Sequence, residues 1–222
     1  MALDPNPLEI QPKPQIGGLN VLLFVVLAPA VVMGVALLLR ERLATADLMV
    51  MLATVFGSAL MGLILAVAPM GSRAIPALGF RVVGWRWLVF GPIAALAVSV
   101  AASQTGLEPE GMKQALEFSR EPAHFVISLL VVAGLAPLVE ELIFRGLFYG
   151  WLEKRWGANV AFIVSSITFA LAHYEPAHII LVLPLALLFG WLRKKSDSIL
   201  PSLVAHVFNN AAAVLAAVYL TS

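Results

Sequence analysis

HFVISLLVVAGLAPLVEELIFRGLFYGW occupies residues 124–151. This stretch is longer than the roughly 20 apolar residues that a helix needs to cross a hydrocarbon core of about 30 Å. Its charged residues, Glu140, Glu141 and Arg145, lie inside the run rather than at its ends. The stretch therefore predicts a helix that crosses a membrane and carries charges near mid-depth.

The remainder of the chain has the same apolar character. Of its 222 residues, 61% are hydrophobic and 12% are charged, whereas a soluble domain is about half apolar and about a quarter charged. We expect an all-α fold, a polytopic transmembrane helix bundle of about seven spans, with roughly six to eight as the range because one apolar run is short. The predicted spans are residues 20–39, 47–69, 87–102, 124–151, 158–173, 177–192 and 199–220.

The first residues of the chain differ from the rest. Residues 1–18 contain four prolines and end in two glycines, which is typical of a flexible polar tail. Residues 19–222 show no second soluble domain and no internal repeat. We therefore expect them to form a single transmembrane domain.

Basic residues between the spans predict the orientation of the bundle, because cytoplasmic loops carry an excess of Lys and Arg. With seven spans, nine basic residues share the side of the N-terminus and four lie on the opposite side. We expect an integral, multi-pass protein of a prokaryotic plasma membrane with its N-terminus in the cytoplasm. The nine are Lys13, Arg73, Arg81, Arg86, Lys154, Arg155, Arg193, Lys194 and Lys195.

Cysteine content and charge narrow the function classes. The chain has no cysteine, which excludes a disulfide framework, a thiolate nucleophile and a cysteine-based metal site. Its net charge of +1 and the lack of a basic stripe argue against a nucleic-acid partner. Membrane lipid and peptides remain as the expected partners, and the sequence leaves the oligomeric state open.

Two adjacent carboxylates in the fourth predicted span are the strongest functional signal, because ionisable groups are costly in hydrocarbon. Successive helical residues are separated by about 100°, so we expect that Glu140 and Glu141 cannot share one partner. Glu141 and Arg145 lie on one face at i, i+4 spacing, which predicts a structural ion pair. Glu140 is then expected to face a cavity as a general base. The alternative is that both glutamates only lock helices together.

Two histidines and an asparagine on other spans complete the candidate set. Phe169 and His173 share a helical face in the fifth span. His206 and Asn210 share one in the seventh. Antiparallel packing of the fourth and fifth spans would bring Glu140 and His173 to similar depth. Together these side chains offer a base for water, a proton shuttle and donors for an oxyanion, which peptide hydrolysis requires.

The ordered set E-E-x-x-x-R, F-x-x-x-H and H-x-x-x-N resembles the CPBP family of intramembrane proteases. That family includes CAAX prenyl endopeptidases and bacterial bacteriocin-processing or immunity-related (Abi-type) members. The resemblance covers about residues 125–216 and implies a catalytic core at about residues 124–216. It implies an endopeptidase that acts on a membrane-associated peptide or a prenylated CAAX-type substrate.

The resemblance also implies a role for each motif residue. Glu140 and His173 would activate the attacking water. Glu141 and Arg145 would brace the site, and Phe169 would pack beside it. His206 and Asn210 would stabilise the oxyanion or orient the substrate.

Metal dependence is the open point in this resemblance, because the family has been labelled both metalloprotease and glutamic protease. His173, His206 and Glu140 are the residues that would hold a catalytic zinc ion, with water as the fourth ligand. The chain lacks H-E-x-x-H, and a glutamate that binds zinc is lost as a base unless Glu141 replaces it. We therefore expect water activation without a cofactor and keep zinc as the alternative.

Two other functions remain open on the sequence. An ion-coupled transporter also carries intramembrane Glu, Arg and His, but it predicts inverted repeats and paired broken spans, which are not evident here. A non-catalytic membrane scaffold or immunity protein of the same fold could keep the motifs and bind a partner.

Several polar residues are given no role in the chemistry. Arg193, Lys194 and Lys195 form a basic run that we interpret as a topogenic anchor. His124 and His178 lie at helix starts and are interpreted as interfacial residues.

Overall fold

The computed structural model describes residues 13–44, 46–121 and 123–220. All regular structure in these ranges is helical, which confirms the predicted all-α, polytopic transmembrane bundle. Most of the expected flexible tail, residues 1–12, lies outside the described ranges.

The described ranges contain α-helices together with short 3-10 and π-helical segments. The first part comprises α1 (Gly18–Leu38), α2 (Arg40–Leu43), α3 (Leu48–Val67), α4 (Ala74–Ala77), α5 (Trp85–Ser103) and α6 (Glu110–Ser119). The second comprises α7 (Phe125–Ser128), α8 (Ala136–Glu141), α9 (Tyr149–Leu171), α10 (Pro176–Ser196) and α11 (Leu200–Tyr219). A 3-10 segment, Ala68–Arg73, joins α3 to α4, and the π-helical segments π1 (Leu129–Leu135) and π2 (Leu142–Phe148) flank α8.

Local sequence explains where several helices begin and end. The Asp47 carboxylate accepts a hydrogen bond of 2.9 Å from the Val50 amide and caps α3. Proline occupies the first turn of α10 and of α11, where no intrahelical donor is required. Asp197, in a left-handed conformation with a φ of 54°, ends α10.

In the described part of the chain, six helices are long and apolar enough to cross a membrane. One of them, Phe125–Leu171, has 47 residues, roughly twice the length of a single crossing. Gly157 interrupts it with a φ of 82° and a ψ of 167°, far from helical values. The Phe144 and Phe169 rings pack against each other from either side of this break, with 5.2 Å between centroids. The chain therefore turns back at Gly157, and the bundle has about seven spans, as predicted.

Small residues allow helices of the bundle to approach closely, as is common between membrane helices. A Cβ atom added to Gly62 of α3 would lie 2.5 Å from the Cα atom of Ala28 on α1. A Cβ atom added to Gly190 of α10 would overlap the Ser166 hydroxyl on α9. These two helix crossings therefore require glycine.

Loops that the span count assigns to the side of the N-terminus meet at one end of the bundle. Asp197 pairs there with Lys13 at 2.8 Å, and it also pairs with Arg81. Arg193 Nη1 lies 3.4 Å from the same carboxylate. Ile16 is fully buried, so the last residues of the expected tail pack against the bundle. With seven spans, these segments all lie on the same side of the membrane, so their meeting at one end of the bundle agrees with the predicted span count.

Candidate active site

A buried ion pair lies at the junction of α8 and π2. The Glu141 and Arg145 side chains are both 0% exposed, and Arg145 Nη1 lies 3.1 Å from Glu141 Oε1. Arg145 Nη2 donates a second hydrogen bond, of 2.9 Å, to the Ala186 carbonyl oxygen on α10. The guanidinium carbon also lies 4.3 Å from the centroid of the Phe169 ring. The structure thus contains the ion pair expected from the i, i+4 spacing and attaches Arg145 to two further spans.

His206 of α11 joins the two carboxylates. Its Nδ1 lies 3.2 Å from Glu141 Oε1, and its Nε2 lies 3.5 Å from Glu140 Oε2. The ring stacks on Phe189 with 4.8 Å between centroids, which restricts the plane of the imidazole. The expectation that the two glutamates cannot share a partner is therefore wrong, because the nitrogens of one imidazole lie on different edges of the ring.

The cluster combines charges of both signs. Glu140 and Glu141 bring two negative charges, and Arg145 brings one positive charge. A net charge is costly to bury, so a neutral cluster is favoured. Arg145 pairs with Glu141, so Glu140 is the carboxylate without an arginine, and its contact is with His206 Nε2 at 3.5 Å. His206 therefore lies beside the negative charge that Arg145 does not offset.

The two glutamates differ in accessibility. The Glu140 side chain is 20% exposed, whereas that of Glu141 is completely buried. Glu141 is committed to Arg145 and His206. Glu140 is consequently the more exposed and less constrained of the two carboxylates.

His173 follows the end of α9 and is oriented by the backbone of that helix. Its Nδ1 lies 3.0 Å from the Phe169 carbonyl oxygen. Because a carbonyl oxygen only accepts hydrogen bonds, Nδ1 carries the proton and Nε2 of the neutral ring remains an acceptor. The ring packs edge-on against His178, with 4.4 Å between centroids, a contact that the interfacial interpretation of His178 did not anticipate. His173 can therefore accept a proton at Nε2.

Phe169 lies between His173 and the carboxylate cluster. Its ring centroid is 5.1 Å from that of His173 and 5.7 Å from that of His206. No hydrogen bond or ion pair joins His173 to Glu140 among the described residues. The structure thus brings His173 into the neighbourhood of the cluster, while the direct contact of Glu140 is with His206.

Asn210 lies one turn beyond His206 and has a different partner. Its Nδ2 donates a 3.0 Å hydrogen bond to the Val132 carbonyl oxygen in π1. The neighbouring Asn209 accepts a 2.6 Å hydrogen bond from the Ser99 hydroxyl on α5. Asn210, rather than Asn209, therefore faces the span that carries the two glutamates.

Two residues of α10 contact the cluster and were not expected there. Phe189 stacks on His206, and its ring centroid lies 5.7 Å from the Arg145 guanidinium carbon. Arg193 is 2% exposed and donates to the Arg145 carbonyl oxygen at 3.1 Å. The topogenic-anchor interpretation is wrong for Arg193, whose guanidinium is buried in the bundle. Arg193 shares one helical face with Ala186 and Phe189, and this spacing is the signal that could have identified Arg193 as a buried residue.

The residues of the zinc alternative are not arranged as a ligand set. Among the described residues, no group of three His, Asp or Glu side chains converges as metal ligands require. Both nitrogens of His206 face carboxylate oxygens, and His173 is connected to the cluster through the Phe169 ring. Glu140, His173 and His206 therefore do not fit a zinc ion in this arrangement.

Comparison with known proteins bears on the same region. Residues 122–212 match the family model described as type II CAAX prenyl endopeptidase Rce1-like. The chain is also similar to the protein named "Putative membrane peptidase YdiL" of Bacillus subtilis (strain 168), with 26% identity over 89 residues. That similarity covers 40% of this chain and 36% of the relative, so the chain matches about a third of the curated relative's length. No solved structure matches the chain.

The matched region coincides with the part of the bundle that holds the cluster. It contains all three motifs, from Glu140 in α8 to Asn210 in α11. The helices α1 to α6 lie outside it. The resemblance to the CPBP family of intramembrane proteases, expected from the three motifs, is therefore confirmed, and it rests on residues 122–212.

Proposed function

We propose that the protein is an intramembrane endopeptidase that hydrolyses a peptide bond with water activated by Glu140 and His173. The observation that carries the proposal is the His206 bridge between the two carboxylates. The bridge holds Glu140, the more exposed of the two glutamates, beside an imidazole, which suits general acid–base catalysis. The similarity to CAAX prenyl endopeptidases supports a membrane protease.

In the proposed reaction, Glu140 accepts a proton from a water molecule while the water oxygen bonds to the carbonyl carbon of the scissile bond. Nε2 of His173 accepts a hydrogen bond from the same water. The tetrahedral intermediate carries an oxyanion, for which the proposed donors are Asn210 and, once Glu140 has taken the water proton and released its contact with Nε2, His206. The carbon–nitrogen bond then breaks, and the proton on Glu140 passes to the leaving amine.

The remaining motif residues are proposed to support the site without reacting. Arg145 neutralises Glu141, so that a second free negative charge does not face the attacking water. The Phe169 ring contacts both histidines and the Arg145 guanidinium. Its proposed role is to keep the two imidazoles apart and in fixed orientation.

The proposed substrate is a membrane-associated peptide or a prenylated CAAX-type tail. An accessible carboxylate surrounded by apolar spans suits a peptide delivered from the bilayer, and membrane lipid is the second proposed partner. We also propose that the reaction needs no metal cofactor, that the N-terminus is cytoplasmic and that the membrane is a prokaryotic plasma membrane. The excess of basic residues on the side of the N-terminus supports the orientation.

Cleavage of labelled peptides by detergent-purified protein tests this function. The two probes are a farnesylated CAAX-type peptide and an unmodified membrane-spanning peptide. Glu140→Gln removes the base with little change in size and should lower kcat/KM by about 100-fold or more. Glu117→Gln, on the exposed surface of α6, is the matched control and should cleave at the wild-type rate.

Each outcome separates the proposed function from its competitors. Equal cleavage by the wild type and Glu140→Gln would contradict the mechanism. No cleavage of either peptide by the wild type would favour the scaffold or transporter function instead. Loss of cleavage with a chelator, followed by recovery with added zinc, would contradict metal-independent activation.

A further inference from the structure

Arg193 of α10 contacts the site from outside the three motifs. Its guanidinium is 2% exposed, and its Nε donates to the Arg145 carbonyl oxygen at 3.1 Å. The guanidinium carbon also lies 4.6 Å from the centroid of the Tyr149 ring, and Nη1 lies 3.4 Å from Asp197 Oδ1. A Cβ atom added to Gly79 would lie 3.0 Å from the same guanidinium. Arg193 is therefore held in one position by contacts on several sides.

The helix α10 is attached to Arg145 at two points. The Ala186 carbonyl oxygen accepts a hydrogen bond of 2.9 Å from the Arg145 side chain, and Arg193 donates one of 3.1 Å to the Arg145 backbone. Ala186 and Arg193 are about two helical turns apart and share one face of α10. The side chain and the backbone of Arg145 are thus both bound to the same helix.

This attachment matters because Arg145 lies in a π-helical segment. The i→i+5 pattern of a π-helix is rare and is frequently found at functional sites. From Arg145 a continuous series of contacts leads to the reacting carboxylate, through Glu141 at 3.1 Å, His206 at 3.2 Å and Glu140 at 3.5 Å. A shift of the Arg145 backbone would consequently move the whole series.

We propose that Arg193 is a positioning residue, which clamps the backbone of Arg145 and thereby sets the geometry of the carboxylate cluster. The inference rests on the proposed peptidase function, because its effect on catalysis is exerted at Glu140. It applies to Arg193 and not to the basic run as a whole, since Lys195 in the same run is exposed.

Two substitutions at Arg193 and one control test the clamp. Arg193→Met keeps much of the apolar stem but removes every donor, whereas Arg193→Lys keeps a charge and one donating group. Lys195→Met makes the same chemical change at the exposed position. For each purified protein, kcat and KM are measured with the farnesylated peptide, and hydrogen–deuterium exchange is measured on peptides covering residues 142–150.

The expected result is a fall in kcat of about 10- to 100-fold for Arg193→Met, with KM nearly unchanged, because misplacing a catalytic group slows the chemical step. Exchange over residues 142–150 should become faster in the same variant. Arg193→Lys should recover part of both properties, and Lys195→Met should match the wild type. A folded Arg193→Met protein with wild-type kcat and wild-type exchange would overturn the inference, as would a rise in KM at constant kcat.

The two hypotheses fail in different ways. If the wild type cleaves neither peptide, the proposed function fails, but the exchange measurement still decides whether Arg193 clamps Arg145. If Arg193→Met does not fold, Asp197→Asn replaces it, because that change loosens the 3.4 Å contact to Arg193 without emptying the space around the guanidinium. The Asp197→Asn protein should then show a smaller fall in kcat than that expected for Arg193→Met, together with faster exchange over residues 142–150. Wild-type values of both would overturn the inference.

Discussion

His206 Nε2 lies 3.5 Å from Glu140 Oε2, while Nδ1 of the same ring lies 3.2 Å from Glu141. One imidazole on α11 therefore joins two adjacent carboxylates on α8. Because Arg145 pairs with Glu141, this contact also gives Glu140, the carboxylate without an arginine, a partner on another span.

Replacing His206 with Gln should destabilise the protein and strongly reduce cleavage. A glutamine side chain can bond to one of the two carboxylates but does not bridge both, so the other carboxylate loses its partner. Adding Glu140→Gln should recover part of the lost stability, with a coupling energy of about 1–3 kcal/mol. Thermal unfolding of the four proteins of this cycle in one detergent measures the coupling. Strictly additive effects would contradict the bridge.

Arg145→Lys should destabilise the protein by about 2 kcal/mol even though it keeps the charge. Lysine cannot bond to Glu141 and to the Ala186 carbonyl with the same fork geometry, and it lacks the planar face that lies over Phe169. Arg155→Lys, at an exposed position, is the matched control and should change stability by less than about 0.5 kcal/mol. An Arg145→Lys protein as stable as the wild type would show that the ion pair alone is sufficient.

His173→Asn should separate the orientation of this residue from its chemistry. The asparagine Nδ2 lies close to the place of the histidine Nδ1 and can donate to the Phe169 carbonyl oxygen, but nothing replaces Nε2. We expect an unchanged melting temperature and a loss of kcat of about 100-fold. His178→Phe keeps an edge-on ring contact with His173 and should retain most of the activity. Wild-type cleavage by His173→Asn would remove this residue from the proposed mechanism.

Gly62→Ala should disrupt the crossing of α1 and α3. The added methyl group would lie 2.5 Å from the Ala28 Cα atom, and such overpacking costs about 1–3 kcal/mol. Gly57→Ala on the same helix meets nothing within 4 Å and should stabilise α3 slightly, because alanine favours a helix over glycine. Unfolding temperatures of the two variants test the packing of a region that the family match does not reach. Equal temperatures would contradict the close crossing.

The stability contributed by Asp197 should depend on pH. Burial alone would raise the pKa of Asp197, but the hydrogen bond from Lys13 and the charges of Arg81 and Arg193 outweigh it and hold this pKa below its ordinary value. Because the folded-state pKa is the lower one, the carboxylate contributes its full stability above roughly pH 5 and loses it as the pH falls through the folded-state pKa.

Asp197→Asn should therefore lower the melting temperature at pH 7, and its difference from the wild type should shrink below about pH 4. Melting temperatures of both proteins across this range measure the effect, and asparagine is a suitable replacement because it tolerates the left-handed backbone at this position. A difference that stays constant with pH would contradict the electrostatic origin of the stabilisation.

Local patterns in the chain were sufficient for several features of the fold and the site. The lengths of the apolar runs predicted a helical bundle of about seven spans, because crossing a bilayer sets a minimum length for every helix. The i, i+4 spacing predicted the Glu141–Arg145 ion pair, since both residues lie on one helix and their separation follows from its geometry. The order of the three motifs predicted the family resemblance.

Other features depend on how separate helices are rotated and packed, which no local spacing determines. The sharing of His206 by Glu140 and Glu141 required α11 to present its imidazole edge-on to α8. The burial of Arg193 required α10 to lie against π2, although its basic neighbours suggested a membrane-surface anchor.

The sequence by itself thus determined which residues are charged within apolar helices and which of them share a helical face, because both follow from composition and helical periodicity. Only the tertiary structure decided the partners across helices: His206 between the carboxylates, Phe169 between the histidines, and Arg193 behind Arg145. The physical reason is that contacts between spans depend on the rotation of each helix about its axis, which close packing at positions such as Gly62 and Gly190 fixes for the whole bundle.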